Sequence, residues 1–308
     1  MNDDLTLVPS DDAVTRRERR RQSDYREQVL GLLPGTSRGR LPRRLGNYLP
    51  ADDRRHNFLS SEAADYAERR AVVVQDENGQ LETTRLFTNM LSSMPLCFNV
   101  FGHLRAHRAA AVAVVNELLG LDLVALEDVD VRGRRIAGIE CEWAPHRDEH
   151  LDDRTAFDAV VAARRADGST QLIAVETKYV DKFSRDPKSA KADEKYDRFC
   201  REFGMADGAF GSLKGPATRQ LLRNVLLTES VRRGGRPEGP IFDEALTLVL
   251  ARDDDESARS AVDAVAAQRG DLHTRVRFAG HGELATAAGR IEPLRAWSAD
   301  FRRRYVAD

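Results

Sequence analysis

The alternation of hydrophobic and polar positions divides the chain into a helical first third, a run of strands and a mixed remainder. From Ser23, "SDYREQVLGLL" spaces its apolar residues as a helix does and stops at Pro34-Gly35. A basic loop containing Gly and Pro follows, "GTSRGRLPRRLGNYLP". "SEAADYAERRA" reads as a second helix capped by Ser60 or Ser61. "LSSMPLCFNVFGHLRAHRAAAVAVVNELLGLDL" reads as one largely apolar helix, or two broken near Pro95 and Gly102. Its run from Ala109 to Leu119 is apolar apart from Asn116 and Glu117, as suits a helix packed on a sheet.

The period then changes. "RRIAGIECEWAP", "AFDAVVAA" and "QLIAVETKYV" alternate like strands, and "RADGST" between the last two holds the Asp167-Gly168 turn signal. Helical spacing returns in "AKADEKYDRFCREFG" and "PATRQLLRNVLLTESVRR". The strand "EALTLVLAR", the helix "ESARSAVDAVAAQRG" and a closing amphipathic helix in "PLRAWSADFRRRYVAD" complete the chain. The order helix, strand, strand, strand, helices, strand predicts an α/β core with a central mixed β-sheet flanked by helices. Residues 1–85 are expected to form a helical and irregular N-terminal extension packed on a core domain of residues 86–308.

Composition narrows the function. With 308 residues, 41% of them hydrophobic, the chain can bury a sizeable core. Its 48 basic and 50 acidic residues nearly cancel, so a nucleic-acid partner must be met by a local basic patch rather than by the overall field. The run "RRERRR", Arg16 to Arg21, reads as a solvated helix start more readily than as a DNA-binding arm. Cys97, Cys141 and Cys200 are distant from one another and read as free thiols of a reducing compartment. No signal-peptide pattern opens the sequence and no apolar run reaches membrane-spanning length, so a cytoplasmic protein with no membrane partner is expected.

The chemistry concentrates on two neighbouring strands. Asp158 lies on the first, and Glu176 and Lys178 share one face of the second. A two-residue loop at Asp167-Gly168 would pair Ala166 with Ser169 and set Asp158 opposite Thr177, on the wrong face. The three groups meet only if an odd-length loop or a bulge shifts the register by one. Charges gathered near a core must find partners or neutralise. A salt bridge at the sheet's exposed end would satisfy them, and so would a hard divalent cation on the two carboxylates, with Lys178 orienting the attacking water.

With "FDAVV", "VETK" and this element order, the sequence resembles the restriction-endonuclease-like fold of the PD-(D/E)XK nuclease superfamily, although Phe157 stands where proline usually precedes the Asp. "SSMPLCFNVFG", "VETKYVDKFS" and "RQLLRN" further resemble a bacterial family of restriction endonucleases that carries S-S-x-x-L-C-F-N-x-F-G. The resemblance implies Asp158 and Glu176 as metal ligands, Lys178 as the catalytic lysine, and Mg²⁺ as cofactor with Mn²⁺ as substitute. Glu117, Glu140 and Glu142 compete as a third acidic ligand, and Glu142 is chosen. Arg219 and Gln220 are expected to touch the DNA backbone or the site from a following helix, with ordinary helix surface as the alternative. Asn99 could support the site or pack the helix, and the Arg302–Arg304 run could meet phosphates or solvent. Tyr179 is expected to pack, and His146 and His150 are not expected to form a zinc site.

The expected function is a metal-dependent DNA endonuclease of restriction type, serving defence and leaving 5′-phosphate and 3′-hydroxyl ends. A two-fold homodimer would be the simplest way to cut both strands. The alternatives are a repair or recombination nuclease, and a non-catalytic module that binds nucleic acid or a partner.

Overall fold

The computed structural model describes residues 5–38, 41–183, 190–235 and 239–306. Gly39 and Arg40 of the basic loop, and Ser184 at the end of "VETKYVDKFS", lie outside the described residues. Helix α1 (Ala13–Asp24) begins at Asp12, whose carboxylate accepts the Thr15 N–H at 2.8 Å, and it passes into a π-helical turn at Tyr25–Val29. It therefore starts well before Ser23 and contains the whole arginine run. That run is only partly solvated, because Glu18 is buried between Arg17 and Arg21, and Arg19 is buried against Asp11.

Helix α2 (Ser61–Asp76) is capped by Ser60, and α3 (Thr83–Thr88) follows. In α4 (Ser93–Cys97) Pro95 sits in the first turn, where its missing N–H breaks no helical bond. A π-helical turn, Phe98–Gly102, leads to α5 (His103–Ala106). The break before α6 (Arg108–Leu119) falls at His107, whose φ and ψ of −117° and 57° are not helical, rather than at Gly102.

Strands β1 (Leu123–Leu126), β2 (Asp128–Val131), β3 (Arg134–Ala137) and β4 (Ile139–Trp143) come next. The single strand expected over "RRIAGIECEWAP" is two, because Gly138 turns the backbone at φ +74° where a Cβ would come within 2.7 Å of the Arg108 guanidinium. β3 pairs with β2 as a separate hairpin, and β4 joins the main sheet. Then follow β5 (Phe157–Arg165), β6 (Thr170–Thr177), α7 (Ala190–Glu202), α8 (Ala209–Leu213), α9 (Arg219–Arg232), β7 (Glu244–Ala251), α10 (Glu256–Ala267), β8 (Arg275–Gly280), α11 (His281–Gly289) and α12 (Arg295–Tyr305). Neither β1 and β2 nor β8 and α11 were expected. β8 is an edge strand of polar and apolar residues with little burial to mark it.

Among the described residues the main sheet has six strands in the order β1-β5-β6-β7-β8, with β4 on the same edge of β5 as β1. β5 is antiparallel to its neighbours, whereas β6, β7 and β8 are parallel, so the sheet is mixed. Ile173, Val175, Leu248 and Leu250 face α4, α6, α11 and α12. Leu172, Ala174 and Val249 face α9 and α10 on the other side. The three cysteines are free and buried. No described helix is long and apolar enough to cross a membrane.

A buried polar network ties α1 to the end of β6. The Tyr179 hydroxyl donates to Glu18 Oε2 at 2.9 Å and accepts from Gln22 Nε2 at 2.8 Å. Gln22 in turn exchanges hydrogen bonds with Arg304, whose fully buried guanidinium also reaches Asn57. Arg304 thus meets neither phosphate nor solvent. Asn99 likewise braces the interior, donating to Asn57 O and the Tyr305 hydroxyl.

Glu18→Ala would leave the Tyr179 hydroxyl and two arginines without their shared acceptor. A loss of about 3 kcal/mol is expected, read as a lower urea midpoint at unchanged slope. Glu18→Gln, which keeps an acceptor oxygen, should lose less.

Candidate active site

The turn between β5 and β6 contains three residues, Ala166, Asp167 and Gly168. Arg165 N donates to Ser169 O at 2.8 Å, and Gly168 takes φ +90°. The ladder then pairs Arg164 with Thr170 and Ala159 with Val175, one residue away from the two-residue register. Continued by one step, it sets Asp158 beside Glu176. On the other edge of β5, Cys141 pairs with Ala159 and Trp143 with Phe157, which leaves Glu142 facing Asp158. Glu142 adopts φ +48°, a left-handed kink inside a strand that is rare for a residue with a side chain. Three carboxylates, one from each of β4, β5 and β6, therefore form a row across the ends of the strands.

Lys178 follows Glu176 by two residues, and its N–H continues the parallel ladder to Leu250 O at 2.8 Å. Its Nζ lies 2.6 Å from Glu176 Oε1, and the two side chains are only 6% and 5% exposed. The ammonium also donates to Gln220 Oε1 at 3.2 Å and sits 4.7 Å above the Phe183 ring. From α9, Gln220 Nε2 donates to Glu176 Oε1 at 2.7 Å and Asn224 Nδ2 donates to Oε2. Both Glu176 oxygens are thus held by side-chain amides one helical turn apart. Asp158 Oδ2 accepts from the Thr177 N–H at 2.6 Å and its hydroxyl at 2.8 Å, while the Cys97 thiol donates to the Asp158 carbonyl at 3.1 Å.

The row is short of positive charge. Burial, and then the neighbouring Glu176, push the Asp158 carboxyl up to about 7, despite the opposing pull of Lys178 and the Thr177 hydrogen bonds. Burial, then Asp158 and Glu176, raise Glu142 to about 8. Burial works against the Lys178 ammonium, but Glu176 and Asp158 outweigh it and keep its pKa above the ordinary value. A divalent cation would relieve this deficit. Among the described residues no three His, Cys, Asp or Glu side chains form a ready-made ligand cluster. Mg²⁺ is commonly held by one or two carboxylates together with waters and substrate phosphates, so Asp158 and Glu176 fit it without a third protein ligand.

The other expected residues divide. Glu140 is buried and satisfied by Arg105 and the Tyr66 hydroxyl, and exposed Glu117 pairs with Arg290; of the three glutamates only Glu142 stands in the row. Arg219 does not present a cation to DNA. It is 3% exposed, pairs with Asp193 at 2.7 Å and lies over the rings of Tyr196 and Phe210, bracing α9 against α7 and α8. Gln220 is turned onto Lys178 and Glu176. His150 is buried on the Ser230 hydroxyl. The sequence reading did not assign Thr177, Asn224 or Cys97 to the site. Asn224 was within reach, because Gln220 and Asn224 are four apart and so share one helix face.

An α/β sheet that lines up acidic side chains and a lysine at its strand ends defines a class of hydrolytic nuclease scaffold. A family model for the PD-(D/E)XK nuclease superfamily matches residues 9–307. The chain belongs to that superfamily, whose members are generally nucleases and typically use divalent metals. No curated protein and no solved structure matches the chain.

Because the folded-state pKa of Asp158 is raised, its effect on stability is absent below about pH 4 and grows more unfavourable as pH rises toward 7. In EDTA, Asp158→Asn should therefore be more stable than wild type at pH 8, by on the order of 2 kcal/mol, with the gain shrinking toward pH 4. Urea midpoints at the two pH values test this, and a variant no more stable than wild type at pH 8 would contradict it.

Proposed function

We propose that this protein is a metal-dependent DNA endonuclease of restriction type, hydrolysing phosphodiester bonds to 5′-phosphate and 3′-hydroxyl ends in defence against foreign DNA in the cytoplasm. The observation that carries the reading is the row Glu142, Asp158 and Glu176 closed by Lys178. A structural salt bridge would need one carboxylate for one lysine. Three for one lysine leave a charge deficit that suits a catalytic cation and a phosphate brought with it.

Asp158 and Glu176 would hold the ion, Mg²⁺ or Mn²⁺, with Glu142 beside them. When bound, the ion polarises the phosphodiester and favours ionisation of the attacking water. The protein's own contribution is positional. Asn224 and Gln220 fix the plane of the Glu176 carboxylate, and Thr177 fixes Asp158. Lys178 holds a buried ammonium where it can orient the attacking water and screen the charge that gathers on the phosphate. Cutting of both strands is assigned to a two-fold homodimer.

Purified protein should convert plasmid DNA to cut forms with Mg²⁺ or Mn²⁺ and leave it intact in EDTA. Glu176→Ala and Lys178→Ala should each reduce the rate by at least about 100-fold, in line with loss of one positioned catalytic group. Discrete fragments would agree with restriction-type specificity, and metal-independent cutting or cutting retained by both variants would defeat the proposal.

Lys178 and the cation also compete for Glu176 Oε1. Lys178→Met should therefore lose cleavage while binding Mn²⁺ more tightly in calorimetry. Weaker Mn²⁺ binding by this variant would show that the lysine does not oppose the metal.

A further inference from the structure

Glu142 faces two ways. It stands in the carboxylate row, and it also forms part of the wall of a cleft of about 870 Å³ between the end of α2, the turn that follows it and the two ends of the segment 144–156. This volume lies within the range of small-molecule sites, about 300–1,000 Å³, which is room for one or two nucleotides and not for a duplex. The lining is polar and balanced in charge, so the cleft is not simply an anion track. Arg154 projects into it exposed and has no partner among the described residues. Arg134 pairs with Glu77 through Nη1 but leaves its buried Nε unpaired. Half-buried His146 offers an imidazole face, and Gln75 and Asn78 add exposed amides that both donate and accept.

We infer that this cleft is the binding site for an unpaired nucleotide of the substrate strand, next to the phosphodiester held over the carboxylate row. The inference rests on the nuclease reading and adds a substrate class: DNA in which a nucleotide has left the helix, at an end, a flap, a mismatch or by flipping. Each element has a chemical reason. Arg154 supplies the cation for a flanking phosphate. The His146 ring gives the base a stacking surface. Side-chain amides with both donor and acceptor atoms suit the mixed hydrogen-bonding edge of a base, which becomes accessible once pairing is lost. Glu142 belongs to both the row and the wall of the cleft, so a strand leaving the row would pass the mouth of the cleft.

The test uses the full chain in EDTA, where cleavage is stopped. Affinities for a short labelled single strand and a blunt duplex of the same sequence are measured by fluorescence anisotropy, for wild type and for Arg154→Ala and His146→Ala. Neither residue belongs to the catalytic row. Each variant should lose about tenfold in single-strand affinity, the scale of one base stack, while duplex affinity changes less than about twofold. Photocrosslinking of wild type with an iodouracil-containing single strand should map to residues 75–80 or 144–148, which keeps the inference open to test if a variant misfolds. Equal losses on both DNA forms, no loss on either, or crosslinks mapping elsewhere would overturn it. Wild type that binds no DNA and cuts none with metal would instead remove the nuclease reading itself.

Discussion

The turn at Ala166, Asp167 and Gly168 contains three residues where the sequence signal alone would allow two, and that extra residue sets the phase of the β5–β6 hairpin. Side chains alternate across a sheet, so a slip of one residue exchanges its faces. With two turn residues Asp158 would oppose Thr177, and the carboxylates would be separated by the thickness of the sheet. With three, Asp158 comes beside Glu176, and Thr177 serves instead as a donor that fixes the Asp158 carboxylate. The glycine at φ +90° makes this turn inexpensive, since a side chain there would be strained. On the opposite edge of β5 the register sets Glu142 against Asp158, and the backbone there takes a left-handed kink.

The assembled site is a local excess of negative charge placed where water is scarce. Such a site opposes folding and is tolerated because the structure around it leaves it little freedom. Amides from α9 hold both Glu176 oxygens, Lys178 neutralises part of the charge, and two fully engaged helical surfaces confine the sheet between them. The raised pKa values of Asp158 and Glu142 express the same conflict in terms of protons: without a cation, the folded protein holds protons that the unfolded chain would release. Local instability of this kind is expected at a functional centre, where other demands override packing.

The core was legible in the sequence where long segments carry one clear period. β5, β6, β7, α7, α9, α10 and α12 fall where the pattern puts them, as does the mixed character of the sheet. The pattern gave way where single residues decide. Gly138 divides an alternating run into two strands of different sheets, and His107 rather than Gly102 breaks the apolar helix. The short strands β1 and β2 and the edge strand β8 bury too little to stamp a period on the chain. In the site, strand alternation put Glu176 and Lys178 on one face, whereas Asp158 was joined to them by the family resemblance, because the turn signal alone set it on the other face. Arg219 could not be placed, because an arginine on a helix next to a site looks the same in sequence whether it faces DNA or stacks inward on Tyr196 and Phe210. Gln220 could be offered to the site from the following helix, but setting it and Asn224 on Glu176 required knowing which face of α9 meets the sheet.

The network around Tyr179 joins parts of the chain that are made at very different times. Gln22 waits for Tyr179, 157 residues later, and for Arg304, 282 residues later. On the ribosome, then, β6 can emerge, pair with β5 and set the Tyr179 hydroxyl on Glu18 and Gln22 long before Gln22 gains its other partner, Arg304. The Gln22–Arg304–Asn57 part of the network can close only once residue 304 has left the exit tunnel. The last helix thus completes a buried network that begins in α1, and these hydrogen bonds between residues 282 apart give the fold a high contact order, which favours slow closure of this part of the core.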